Sequence, residues 1–355
     1  MFKNAQPTDS AYGKHHEPLQ LVLEGAGRIL LGKRQVLRLS LTCLLARGHL
    51  LIEDVPGVGK TTLAHALARL LGLDFQRVQF TSDLLPANIT GVSIYEKDTG
   101  SFRFQPSPIF AQLVLADEIN RATPKTQTAL LEAMEEGQVT QDGESRELPK
   151  PFCVVATQNP ERQLGTFALP ESQLDRFLMR INIGYPDRVA ERELLKGQDW
   201  RALLDTMHPI ADAQQFLAAQ SSVDTVHTAD AIIEYVQAIV AHTRTAPECV
   251  TGLSPRAGLA ILKAARAWAL LDGREHVLPE DIQAILPAVA SHRLQRRDAA
   301  TDTSPIALGE ELIKRVAIPD NRGGRKQRLI ATERCVAISL RSKQDNGVLR
   351  AVSPS

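Results

Sequence analysis

The sequence is poor in cysteine, and its four (Cys43, Cys153, Cys249 and Cys335) are scattered without paired spacing. That argues against a disulfide framework or a cysteine zinc site and fits a reducing compartment, so a cytoplasmic location is expected. The nine histidines show no metal-ligand spacing either, and His65 reads as a packed or solvated side chain, so no metal site of the protein's own is expected. Net charge is also missing. The 41 basic residues balance 41 acidic ones, leaving no overall field to recruit nucleic acid or a membrane surface. No apolar run approaches the length of a membrane span, and Met1 to Pro18 lack the apolar centre of a signal peptide. Internal repeats and long low-complexity segments are absent. What remains is a chain of 355 residues, enough for two domains and a substantial core.

The most informative run present is Asp54-Val55-Pro56-Gly57-Val58-Gly59-Lys60-Thr61-Thr62. It follows the strand-like Leu50-Leu51-Ile52 and leads into residues 62–71, a helix pattern closed by Gly72. A glycine-rich turn between strand and helix lets several backbone N–H groups face one phosphate, and the helix dipole adds positive potential there. Lys60 would reach the terminal phosphates and Thr61 would ligate Mg²⁺. The strict pattern has glycine at the first position, where this chain has Asp54. The expectation is a nucleoside triphosphate site.

From Leu50 to about Pro186 short apolar strands alternate with helices, the pattern of a parallel sheet covered on both faces. The strands are expected at His49–Ile52, Arg77–Phe80, Leu113–Ala116, Phe152–Thr157 and Ile181–Ile183. Helices are expected before them at Leu19–Leu30 and Gln35–Ala46. Hairpins are expected near 92–104, turning at Lys97-Asp98-Thr99-Gly100, and near 138–148, turning at Asp142-Gly143. After Pro186 only helical periodicity remains, at Ala190–Trp200, Ala229–Thr243, Pro255–Leu271 and Pro279–Ala290. Ser254 before Pro255, and Pro279 followed by two acids, mark two of these starts. The fold class expected is α/β, with a small all-helical module following. The boundaries read as a disordered tail over residues 1–17, an α/β domain over 18–187, helices over 188–320 and a basic tail over 321–355.

Further chemistry sits at strand ends. Leu113-Val114-Leu115-Ala116-Asp117-Glu118 brings two carboxylates to the edge where open α/β sheets bind ligands. Asp117 suits the Mg²⁺ shell, through water, and Glu118 suits polarising the attacking water. The strand after Phe152 ends in Gln158-Asn159-Pro160; Asn159 could orient that water, or simply make a turn before proline. Arg176, with Arg180 as the alternative, could stabilise charge on a neighbouring subunit's γ-phosphate, or form a surface ion pair with Asp175 or Glu171. Arg256, second in its helix, could place a positive charge on the nucleotide or be merely solvated.

Together these residues resemble the AAA+ ATPases, and closely the MoxR family. The resemblance is carried by Ile52 to Thr61, Leu115 to Ala122, Ala156 to Pro160, Leu169 to Phe177 and Gly252 to Ala257, and it covers roughly residues 19–320. It implies a P-loop sheet with a helical lid. By this likeness Lys60 and Thr61 belong to Walker A, Asp117 and Glu118 to Walker B, and Asn159 is the sensor-1 residue. Arg176 is then the arginine finger and Arg256 the sensor-2 residue. Leu31-Gly32 matches an adenine-contacting segment, and Pro56 to Thr62 would hold the phosphates. The hairpins match the helix-2 and pre-sensor-1 insertions. The family implies ATP and Mg²⁺, a ring hexamer, and chaperone-like maturation of partners that carry a von Willebrand factor A domain, with metal or cofactor insertion a recurrent theme.

The resemblance fades near Ile318-Pro319. Over residues 321–355 Arg322, Arg325, Lys326, Arg328, Arg334, Arg341, Lys343 and Arg350 face only Glu333 and Asp345. This tail is the only support for a nucleic-acid motor, though it lacks aromatic residues for stacking and reads more readily as disordered, solvated chain. The same motifs would also serve a magnesium-chelatase-like subunit, or a scaffold that nucleotide binding regulates without turnover.

Overall fold

Residues 13–159, 165–197, 200–295, 297 and 305–318 are described by the computed structural model. The basic tail expected over 321–355, and the first part of the expected N-terminal tail, lie outside the described residues.

In chain order, α1 (Gly13–Ile29) and α2 (Arg34–Leu45) precede β1 (Leu50–Glu53) and α3 (Lys60–Leu70). Next come β2 (Phe75–Gln79), α4 (Pro86–Thr90), the hairpin β3 (Val92–Glu96) and β4 (Ser101–Gln105), β5 (Leu113–Asp117) and α5 (Pro124–Glu136). The second hairpin, β6 (Gln138–Gln141) and β7 (Glu144–Glu147), leads to β8 (Cys153–Gln158), α6 (Glu171–Leu174) and β9 (Met179–Ile181). The remainder is helical: α7 (Arg188–Leu195), α8 (Trp200–Thr206), α9 (Ala213–Val223), α10 (Asp230–Thr245), α11 (Pro255–Leu271), α12 (Pro279–Ala290) and α13 (Pro305–Arg315).

The main sheet has the order β2-β5-β8-β1-β9, and every neighbouring pair is parallel. Its inner strands are apolar on both faces, for a simple reason. Leu50, Ile52, Leu113, Leu115, Val155 and Met179 pack on one side with α1, α2 and α3. Leu51, Val114, Ala116, Val154 and Ala156 pack on the other against Leu130, Leu131 and Met134 of α5. Each fully buried leucine there contributes about 1.5–3 kcal/mol. The register sets Glu53 beside Gln158 and Gln79 beside Asp117, so polar residues gather at the C-terminal edge.

Two strands depart from expectation. β2 is an edge strand with exposed Gln76, Arg77 and Gln79 rather than a buried run. β9 ends before Ile183, because the Ile183 and Gly184 N–H groups turn out of the ladder to a side chain described below.

The helical region also differs in detail. Residues 13–17 are not tail but the first turns of α1, since His16 Nδ1 and Gln20 Nε2 bond the Leu271 carbonyl at 3.0 and 2.6 Å. The pattern over Ala190–Trp200 begins earlier, at Arg188, because Asp187 caps Val189 and Ala190. α9 went unpredicted although Asp212 and Gln215 form a reciprocal capping box.

The helical region shares its packing with the α/β part. Phe216, Tyr235, Trp268 and Ile282 share a continuous core with Leu37, Leu44 and Leu67, and the chain up to Ala317 forms one unit. After α12, Arg293 donates to Asp175 Oδ1 at 2.6 Å and to the Phe177 and Leu178 carbonyls. His292 Nε2 donates to the same Phe177 oxygen at 2.9 Å, and burial pushes its pKa well below the ordinary value, so the ring stays neutral. No helix among the described residues is long and apolar enough to cross a membrane.

Candidate nucleotide site

The loop between β1 and α3 opens on a cavity of about 460 Å³. Gly57 and Gly59 adopt φ of 88° and 100°, the left-handed region where a side chain would be strained. A Cβ at either would meet nothing within 4 Å, so they line open space rather than a packed turn. Pro56 through Thr62 line the cavity together with Arg77, Asp117, Glu118 and Asn159. The rest of its lining is Ile29, Leu30, Leu31, Lys33, Pro186 and Leu194, apolar but for the one lysine. One polar and one apolar end suit phosphates and a base.

Leu31 lies where the sequence put it, but Gly32 does not line this cavity. Gly32 instead lets the chain pass Asp187: at its φ of 72°, an added Cβ would sit 2.8 Å from Asp187 Oδ2. Pro186 and Leu194 were missed because they come from segments remote in sequence, and Ile29 and Leu30, which adjoin Leu31, were missed as well.

Lys60 Nζ donates to the Asp54 carbonyl at 2.6 Å, to the Gln158 carbonyl at 3.2 Å and to Asn159 Oδ1 at 2.9 Å. Burial lowers its pKa, an effect opposed by Asp54, Asp117 and Glu118. Asp54 explains its own presence in place of glycine. Its Oδ1 accepts from Val55 N at 2.8 Å, and its Oδ2 accepts from Ile183 N and Gly184 N at 2.7 and 2.6 Å. It ties the phosphate loop to the exit of β9.

The two acids after β5 face the same cavity because Glu118 takes a left-handed conformation, φ 57°, that bends the chain at the strand end. Thr157, unremarked in the sequence, fixes both. Its hydroxyl donates to Asp117 Oδ1 at 2.6 Å and accepts from Glu118 N at 2.9 Å. Glu118 Oε1 accepts from Asn159 Nδ2, and Oε2 from Gln79 Nε2, each at 2.9 Å. Arg121 pairs with the same Oε2 at 3.0 Å. Asn159 therefore joins Lys60 to Glu118. Thr157→Val keeps the volume and removes both hydroxyl bonds. It is expected to slow ATP turnover about tenfold while nucleotide affinity holds within a few-fold. Affinity falling in step with turnover would mean that Thr157 serves only the fold.

Thr61 and Asp117 offer hydroxyl and carboxylate oxygens, hard donors that suit Mg²⁺. No group of three or more His, Cys, Asp or Glu side chains among the described residues could hold a metal, so an ion here would draw the rest of its shell from phosphate and water.

The arginines lie elsewhere. Arg176 NH2 meets Glu135 Oε2 at 3.0 Å, and Arg256 NH1 meets Glu135 Oε1 at 3.4 Å. Both line a second cleft of about 300 Å³ that shares no lining residue with the first. Arg256 is thus not at this chain's own phosphate loop, contrary to the simplest expectation for a lid residue. Arg180, the alternative finger, is buried in β9 with NH1 3.0 Å from Glu53, so it is committed to its own sheet.

Comparison with known proteins gives the same picture. Residues 49–179 match the family model described as "ATPase family associated with various cellular activities (AAA)", and residues 241–315 match an AAA lid domain. YeaC of Bacillus subtilis (strain 168) is 46% identical over 309 residues, spanning 86% of this chain and 97% of that protein. Chaperone MoxR1 of Mycobacterium tuberculosis is 39% identical over 303 residues, spanning 82% of this chain and 80% of its own. A crystal structure from Cytophaga hutchinsonii superposes with a TM-score of 0.79 at 32% identity, covering 87% of this chain and 97% of that one. With phosphate loop, paired acids and lid in one chain, and relatives matched over most of their length, this chain belongs to the MoxR family of AAA+ ATPases.

Proposed function

We propose that this chain hydrolyses ATP to ADP and phosphate with Mg²⁺, and that turnover drives remodelling, maturation or activation of a partner protein. Leu31 and its apolar neighbours would take the base, and the loop N–H groups with Lys60 the phosphates. Thr61 would hold Mg²⁺ directly and Asp117 through water; bound there, the ion offsets charge on the phosphates. A water held by Asn159 attacks the γ-phosphorus in line and passes its proton to Glu118. The bond from the γ-phosphorus to the bridging oxygen breaks, and ADP leaves with that electron pair.

The observation that carries the proposal further is the second cleft. Arg176 and Arg256 sit together, away from their own phosphate loop. That suits a ring, taken here as a hexamer, in which each subunit offers these arginines to the next subunit's γ-phosphate. In that ring Arg256 contacts nucleotide across the boundary. The partner we infer from the family is a protein with a von Willebrand factor A domain, and metal or cofactor insertion is the maturation step we favour, in the cytoplasm. The neutral charge balance argues against nucleic acid as the substrate.

Specific ATPase rate against protein concentration tests the shared site. Wild type is expected to rise cooperatively, and Arg176→Ala to lose about 10³-fold, the effect of removing an arginine finger. A flat profile with an unimpaired variant would sink it.

A further inference from the structure

Arg77 has no place in the mechanism above, yet it occupies the centre of the acidic edge. Its Nε and NH2 donate to Asp117 Oδ2 at 3.0 and 2.6 Å. The other carboxylate oxygen is already taken by Thr157. The guanidinium therefore fills the remaining face of the carboxylate that the proposed Mg²⁺ shell would use. The two partners differ in freedom. The Asp117 side chain is 11% exposed, whereas that of Arg77 is 49% exposed, on a strand at the edge of the sheet that the described residues form. The acid is fixed and the arginine can leave.

The same guanidinium steadies a second contact. Arg77 NH2 donates to Gln79 Oε1 at 2.8 Å, and Gln79 Nε2 donates to Glu118 Oε2 at 2.9 Å. Two residues apart on β2, Arg77 and Gln79 thus each face one of the two acids.

We infer that Arg77 is a positioning residue that stands in for the cation at Asp117 and yields that oxygen when Mg²⁺ arrives with the nucleotide. This rests on the Mg²⁺–ATP reading of the site. The water through which Mg²⁺ would be held to Asp117 needs the oxygen that the guanidinium occupies, and the two cations repel one another, so they hold it by turns. Without either, Asp117 and Glu118 would repel the incoming phosphates. Arg77 consequently supports nucleotide binding most strongly when metal is absent, and it competes with the metal when metal is present.

Calorimetric titration of the full chain with the non-hydrolysable β,γ-imido analogue of ATP, in Mg²⁺ and in EDTA, tests this. For Arg77→Gln the affinity in EDTA is expected to fall about tenfold, the loss of one charge-assisted contact. Affinity in Mg²⁺ stays level or rises, so the ratio between the two conditions widens. Arg77→Lys keeps the charge and holds the ratio near that of wild type. Equal losses in both conditions would make Arg77 an ordinary phosphate ligand, and no loss in either would make it a surface ion pair; each overturns the inference. Wild type that fails to bind the analogue in Mg²⁺ would instead overturn the nucleotide reading beneath it.

Discussion

Glu118→Gln is expected to lower ATP turnover by about 10³-fold, within the range that a positioned general base supplies. The amide keeps the shape of the carboxylate but has no basicity with which to take a proton from water. Nucleotide affinity should change little, since Lys60 and the loop N–H groups are untouched. The lost ion pair to Arg121, whose side chain is half exposed, is worth at most about 1 kcal/mol. Single-turnover kinetics with a parallel binding titration separates the two quantities. Unchanged turnover would remove Glu118 from the mechanism. Partner activation that survives in this variant would favour a scaffold in which binding alone matters.

The second large effect concerns the one position where this chain leaves the phosphate-loop pattern. Asp54→Gly restores the glycine, yet it is expected to destabilise the protein by about 3–5 kcal/mol. The carboxylate accepts from three backbone N–H groups, and Ile183, which carries one of them, is only 4% exposed. Glycine leaves those donors unmet and adds freedom to the unfolded chain. The midpoint of denaturant unfolding measures the change, and a loss below about 1 kcal/mol would show that water replaces the carboxylate without penalty.

Much of the scaffold was readable because its physics is local. Inner strands of a parallel sheet are apolar throughout, so β1, β5 and β8 stand out as unbroken runs. The turn at Asp142-Gly143 signals its hairpin, with φ values of 54° and 81° that few other pairs accept. Ser254 and Pro255 mark the start of α11, and Pro279 that of α12. What escaped was decided at a distance. β2 was expected at Arg77–Phe80 but as a buried apolar run, and because an edge strand need not be apolar the roles of Arg77 and Gln79 were not seen. Thr157 matters only because β5 lies beside β8. The pairing of Arg176 and Arg256 on Glu135 joins three elements that no spacing connects. The phosphate end of the cleft comes largely from one loop and was legible, whereas the apolar end, apart from Leu31, comes from α1, the approach to α7 and α7 itself, and was not.

The anchoring of the lid through His292 and Arg293 has a mechanical consequence. A hinge needs a joint with few commitments, and here the joint is a buried guanidinium and a neutral imidazole converging on the chain just before β9. Any turn of the helical region against the sheet would have to break those buried bonds.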